Sequence, residues 1–78
     1  MTDKPFDEPV PLKLDGVTVF VTSAQDAADF LMQDWPTHRT QRHREALEAC
    51  LKVLEGYRSV EDARVALVAA AKEAKLLA

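Results

Sequence analysis

The densest chemistry in the sequence is the run His38-Arg39-Thr40-Gln41-Arg42-His43-Arg44, with three arginines and two histidines in seven residues. Guanidinium groups pair with phosphates and carboxylates through forked, charge-assisted hydrogen bonds. The run opens a predicted helix, and the free N–H groups of a helix N-terminus add donors for an anion. Arg39, Arg42, His43 and Arg44 are therefore the candidate anion contacts, with nucleic acid or a phosphorylated ligand as the alternative reading of function. Against it, only Trp35 supplies an aromatic ring nearby, so the stacking platform of single-strand nucleic-acid binders is missing. The bland reading is a solvated basic patch facing carboxylates such as Asp29, Asp34 or Glu45.

Other reactive side chains have simpler explanations. His38 and His43 are five residues apart, not the four that put two zinc ligands on one helix face. Cys50 is the only cysteine. It falls on an apolar helix stripe, where a free thiol behaves as a small hydrophobe. His43 lies seven residues earlier on a similar face, which permits a Cys–His contact, but catalysis also needs an exposed, activated thiolate. Ser23 and Ser59 each precede a helical pattern and have an aspartate three residues on, so they read as N-caps. Both glycines sit in turns, so no glycine-rich phosphate loop exists. Arg64 lies beside the stripe of the last helix and suits a structural ion pair. The expectation is no catalytic residue, no metal and no cofactor, hence not an enzyme.

Composition sets the same limits. Seventy-eight residues make one small domain. A core of this size supplies only about 3–5 kcal/mol of net stability. One cysteine builds no intrachain disulfide, which argues against a secreted, disulfide-stapled scaffold. The N-terminus lacks the basic start and apolar run of a signal peptide. No apolar run spans a bilayer, so a cytoplasmic location and no membrane partner are expected. The net charge of −3 gives no global attraction to nucleic acid.

The elements that position these residues follow from pattern. Residues 1–8 are acidic and contain proline, and read as a flexible tail with Phe6 as its anchor. Residues 9–78 make a single α+β domain. Asp15-Gly16 is a type I′ turn dipeptide. A two-residue loop pairs Leu14 with Val17, Leu12 with Val19 and Val10 with Val21, and all six fall on one face. Pro11, Lys13, Thr18 and Phe20 take the other. Pro9 and Pro11 lack an N–H on the outer edge of the first strand and should blunt it. The outer edge of the second, at Thr18, Phe20 and Thr22, has no such protection.

A first helix is predicted from Ser23 to about Trp35, stopped by Pro36, with Ala24, Ala27, Ala28, Leu31 and Trp35 inward. After a loop over residues 36–40, a second runs to about Glu55, with Ala46, Leu47, Cys50, Leu51 and Leu54 inward and Gly56 as its C′ stop. The third, capped by Ser59, buries Val60, Ala63, Leu67, Ala70, Ala71 and Ala74. It also carries a second apolar strip at Val65, Ala69 and Leu76. The fold class is α+β: a two-stranded antiparallel hairpin followed by three helices (ββααα). A two-stranded sheet is marginal alone, so pairing across a dimer into four strands is the natural completion.

The order and spacing of short motifs resemble the bacterial small-protein family catalogued as "domain of unknown function 982". They are Pro9-Val10, Trp35-Pro36, Ala46-Leu47, Ala49-Cys50, Leu54-Glu55-Gly56, Ala63-Arg64 and Val68-Ala69-Ala70-Ala71. They cover nearly the whole chain beyond the tail. Leu67 departs from the pattern, since the family tends to carry an aromatic there, and a smaller core follows. The resemblance implies the fold and a bacterial origin, and it carries no activity. The leading expectation is a non-enzymatic interaction, accessory or regulatory module, meeting a second copy or a protein partner at Thr18, Phe20 and Thr22.

Overall fold

The computed structural model describes residues 4–78. Strand β1 (Pro5–Leu14) and strand β2 (Val17–Ser23) form the hairpin. Helix α1 (Ala24–Asp29) runs into a π-helical turn over Phe30–Asp34. Helices α2 (Gln41–Leu54) and α3 (Val60–Glu73) complete the predicted ββααα order.

The hairpin has the expected register: Leu14 faces Val17, Leu12 faces Val19 and Val10 faces Val21. Asp15 at φ 50° and Gly16 at φ 81° supply the two positive dihedrals of the type I′ turn. The apolar face divides along its length. Val10, Leu12 and Val21 are in the core, whereas Val17 is 61 % and Val19 38 % exposed. The hairpin tip thus extends past the helices that cover its base.

The expected tail is shorter than residues 1–8. Residues 1–3 lie outside the described residues, but Pro5–Glu8 belong to β1. A register shift between Pro5 and Val10 bends this segment so that Phe6 is buried. The Lys4 carbonyl then accepts from the Ala24 N–H at 2.9 Å, at the start of α1. Phe6 is the anchor the sequence suggested, and burial of its ring draws the flanking residues into the sheet.

Ala24, Ala27 and Ala28 are buried, so α1 sits close to its neighbours, as its small residues allow. In α2 the buried face is His43, Ala46, Ala49, Cys50 and Val53. Leu47 and Leu54 are only half-buried, and Leu51 is 41 % exposed. The expected leucine stripe is therefore rotated. The small side chains of Ala46 and Ala49 face inward and permit close helix packing, which carries Leu51 outward. In α3, Ala63, Leu67, Ala70 and Ala71 are buried as expected.

Both long helices end in Schellman geometry. After α2, Gly56 sits at φ 90°, and the Tyr57 N–H reaches the Lys52 carbonyl at 2.8 Å. After α3, the same position falls on Lys75 at φ 61°, with Leu76 N–H to Ala71 carbonyl at 2.8 Å. The chain then turns back along β1. Lys13 N–H donates to the Leu76 carbonyl at 2.6 Å, and Ala78 N–H donates to the Pro11 carbonyl at 3.1 Å. Leu77 lies opposite Leu12. This corrects the expectation that Pro9 and Pro11 close the β1 edge to pairing. Proline removes a donor but keeps its carbonyl acceptor, and Lys13 keeps its N–H.

Candidate functional site

The basic run does not form one site. Thr40 is the N-cap of α2, its hydroxyl accepting from the His43 N–H at 3.4 Å and donating to Glu73 Oε1 at 2.5 Å. His43 points inward and is buried. Its Nε2 lies 2.7 Å from the Leu31 carbonyl, and because a carbonyl only accepts, Nε2 carries the proton. The ring packs edge-on against Trp35 at 5.2 Å. Nδ1 has no hydrogen-bond partner among the described residues. Arg39 bends back and donates to the Met32 carbonyl at 2.7 Å. Arg44 donates to Gln41 Oε1 at 3.0 Å. Arg42 borders a different surface, the groove between α2 and α3.

Pro36 explains this dispersal. It offers no N–H to Met32, four residues earlier, or to Leu31, five residues earlier. Both carbonyls lie in the last turn, where intrahelical donors run out, and Pro36 withholds one more. Arg39 and His43 fill those two places. Two of the four candidate anion contacts are thereby committed to ending the first helix, and His38 gives its backbone carbonyl to Trp35 Nε1 at 3.3 Å.

Cys50 is fully buried. Loss of solvent pushes its thiol up to about 11, because the thiolate is the charged form. The polar and ring contacts of His43 are to Leu31 and Trp35 instead. Alkylation of the folded protein at pH 8 is expected to be far slower than of the chain in denaturant. Equal rates would show an accessible thiolate instead. Ser23 and Ser59 are N-caps accepting from Asp26 and Asp62 N–H, so both hydroxyls have structural work. Arg64 makes a forked pair with Glu61, at 2.9 and 2.6 Å, and this hydrogen bonding holds the Glu61 carboxyl below its ordinary range. Among the described residues, no group of three or more metal-ligating side chains could hold an ion. No helix among them is long and apolar enough to cross a membrane.

The second apolar strip of α3 separates. Leu76 lies beyond the helix, beside β1. Val65, Ala66 and Ala69 floor the α2–α3 groove of about 400 Å³, rimmed by Arg42, Glu45, Glu48, Arg58 and Asp62. Arg58 and Asp62 in that rim are already paired at 3.5 Å. The groove offers both signs of charge over small apolar side chains, with no convergent set of reactive groups.

The outer edge of β2 is different. In the observed register the N–H and C=O groups of residues 18, 20 and 22 point away from β1. Asp26 Oδ2 accepts from the Thr22 N–H at 3.1 Å, so Thr22 is already engaged by the first turn of α1. Among the described residues, nothing bonds the outward backbone groups of Thr18 and Phe20. Phe20 is 59 % exposed, on the face away from the helices, and Val17 and Val19 are exposed on the helix-bearing face. The free edge is therefore flanked by apolar side chains on both faces. Of the three residues singled out from sequence, two keep the expected open backbone. The capture of Thr22 follows from the same aspartate recognised as a capping partner of Ser23.

A hairpin and three helices with this register place the chain in a class of small α+β proteins. The family model described as "Protein of unknown function (DUF982)" matches residues 8–78, and the chain belongs to that family. It is also similar to an Agrobacterium tumefaciens protein solved by NMR as a Northeast Structural Genomics Consortium target. The two share 34% identity with a TM-score of 0.82, over 97% of this chain and 77% of that one. No curated protein matches the chain.

Proposed function

We propose that this is a non-catalytic protein-interaction module, an accessory or regulatory protein acting in the cytoplasm, and that it works by accepting a strand at the outer edge of β2. One observation carries the reading. Thr18 and Phe20 turn their backbone donors and acceptors outward, flanked by exposed Val17, Val19 and Phe20. On the other side of the sheet, Lys13 N–H and the Pro11 carbonyl are already taken by the C-terminal segment. An unprotected edge is a template for another strand, with main-chain bonds giving affinity and alternate side chains giving selectivity. The non-catalytic part draws support from Cys50, Ser23, Ser59 and His43, each of which has a packing, capping or hydrogen-bonding role. Nucleic-acid or phosphate binding gains nothing from the structure, since Arg39, Arg42, His43 and Arg44 diverge.

Thr18→Pro tests the edge. The Thr18 N–H is outside the hairpin ladder, so proline there removes an outward donor while leaving the β1–β2 bonds in place. Captured from native extract, proteins that bind the parent and an Arg39→Ala/Arg42→Ala control are expected to be lost from the Thr18→Pro variant. Retention by Thr18→Pro together with loss from the arginine control would overturn the reading in favour of the basic run.

A further inference from the structure

We infer that the strand accepted by β2 is β2 of a second copy of this chain, paired antiparallel about a two-fold axis at Val19. This rests on the edge reading above and adds the partner and the register.

The backbone argues first. Antiparallel pairing needs residues two apart that direct both N–H and C=O across the gap. Thr18 and Phe20 do so, and a second β2 presents the same pair in reverse. With the axis at Val19, Thr18 of each copy faces Phe20 of the other, and each pair exchanges two hydrogen bonds. Neighbouring registers are poorer. With the axis at Phe20, Thr18 comes opposite Thr22, whose N–H is held by Asp26. With the axis at Thr18, Phe20 comes opposite Gly16 in the turn. Only the Val19 register uses both open residues of both copies.

The side chains agree with it. Val19 meets Val19 as a closely spaced, non-hydrogen-bonded pair, about 4.5 Å between Cα atoms. Val17, the most exposed valine of the tip, comes opposite Val21, which is in the core of its own copy. A two-fold axis perpendicular to the sheet puts both helix layers on one side. The uncovered valines of each tip then lie beside the helix-covered base of the other hairpin. Val17–Ser23 itself carries no charge, although 29% of the whole chain is charged; the nearest like charges are Asp26, held at Thr22, and Asp15 in the turn, at the two ends of the paired stretch. The result is a four-stranded sheet, which removes the two weaknesses of a two-stranded one: its free edge and its small size.

Disulfide trapping tests the register in a Cys50→Ala background. A non-hydrogen-bonded antiparallel pair has Cα separation suited to a disulfide. Val19→Cys is expected to form a covalent dimer under mild oxidation, faster than Thr18→Cys or Phe20→Cys. Fastest trapping at position 18 or 20 would overturn the register. Sedimentation of the unsubstituted chain tests the partner without any variant: a concentration-dependent dimer is expected, and a monomer at the highest soluble concentration would overturn the inference. Thr18→Pro separates the two levels. A monomeric parent whose captured proteins are still lost on Thr18→Pro leaves the edge reading standing and refutes the second copy. A monomeric parent whose captured proteins are unaffected refutes both.

Discussion

Replacing His43 with alanine is expected to remove about 3–4 kcal/mol of stability, most of what a core this size provides. The loss has two parts. Truncating a fully packed ring leaves a cavity against Trp35, which lies 5.2 Å away in an edge-on contact. It also strands the Leu31 carbonyl, which is bonded to Nε2 at 2.7 Å. A buried acceptor without a donor costs about 1–3 kcal/mol. Nothing nearby replaces the donor, because Pro36 lacks an N–H. His43→Gln keeps an amide N–H in reach and should recover part of the loss, whereas His43→Phe should restore volume without restoring the bond. Urea titration of the three variants measures this directly. A shift below about 1 kcal/mol for His43→Ala would mean that the ring is not a structural strut.

Deleting Leu76–Ala78 is expected to cost about 2–3 kcal/mol and to change solution behaviour. The deletion removes two backbone bonds to β1, from Lys13 and to Pro11, and the half-buried Leu76 and Leu77 side chains packed on the core. It also removes the Leu76 N–H that closes α3, leaving Lys75 with no reason to keep a left-handed backbone. Lys13 would then expose an outward donor on an edge that only Pro9 and Pro11 blunt. Both edges of the hairpin would be free, and open-ended strand pairing is the expected consequence. Denaturation midpoints and light scattering read the two effects. An unchanged midpoint with unchanged scattering would show that the C-terminal return contributes nothing.

The hairpin was legible because two independent signals coincide. Asp15-Gly16 demands positive φ at both positions, and the flanking alternation puts Leu12, Val10 and Val21 on one face only in that register. Helix ends were legible where Ser23 and Ser59 cap with their side chains and where Gly56 supplies a positive φ. The face of α2 was misjudged because leucine outweighs alanine in any apolar count. Ala46 and Cys50 are inward as expected, but packing added His43, Ala49 and Val53 and left Leu51 outside. The C-terminal return left no pattern, since it rests on two main-chain bonds between distant segments and on a lysine in the place glycine usually takes. Phe6 hinted that the start of the chain is tied down, but nothing in the acidic run showed the register shift that does it. The basic run was read from its charge and its place at a helix start. A partial signal was Pro36, which ends the first helix and withholds the donor that Met32 would otherwise meet, the place Arg39 takes; the π-helical turn that turns the Leu31 carbonyl to His43 left no sequence signal. The outward direction of residues 18, 20 and 22 was legible, because it follows from register. Only Thr22 was lost, to an aspartate four residues on.

The outer edge of β2 is where this molecule is proposed to meet another chain. Amide hydrogen exchange at Thr18 and Phe20 tests it most directly, read on labelled protein both dilute in buffer and at high concentration in native extract. Both amides are expected to exchange freely when dilute and to gain protection in the extract, with Lys13 protected in both because the Leu76 carbonyl holds it. Free exchange of Thr18 and Phe20 under both conditions would contradict the account.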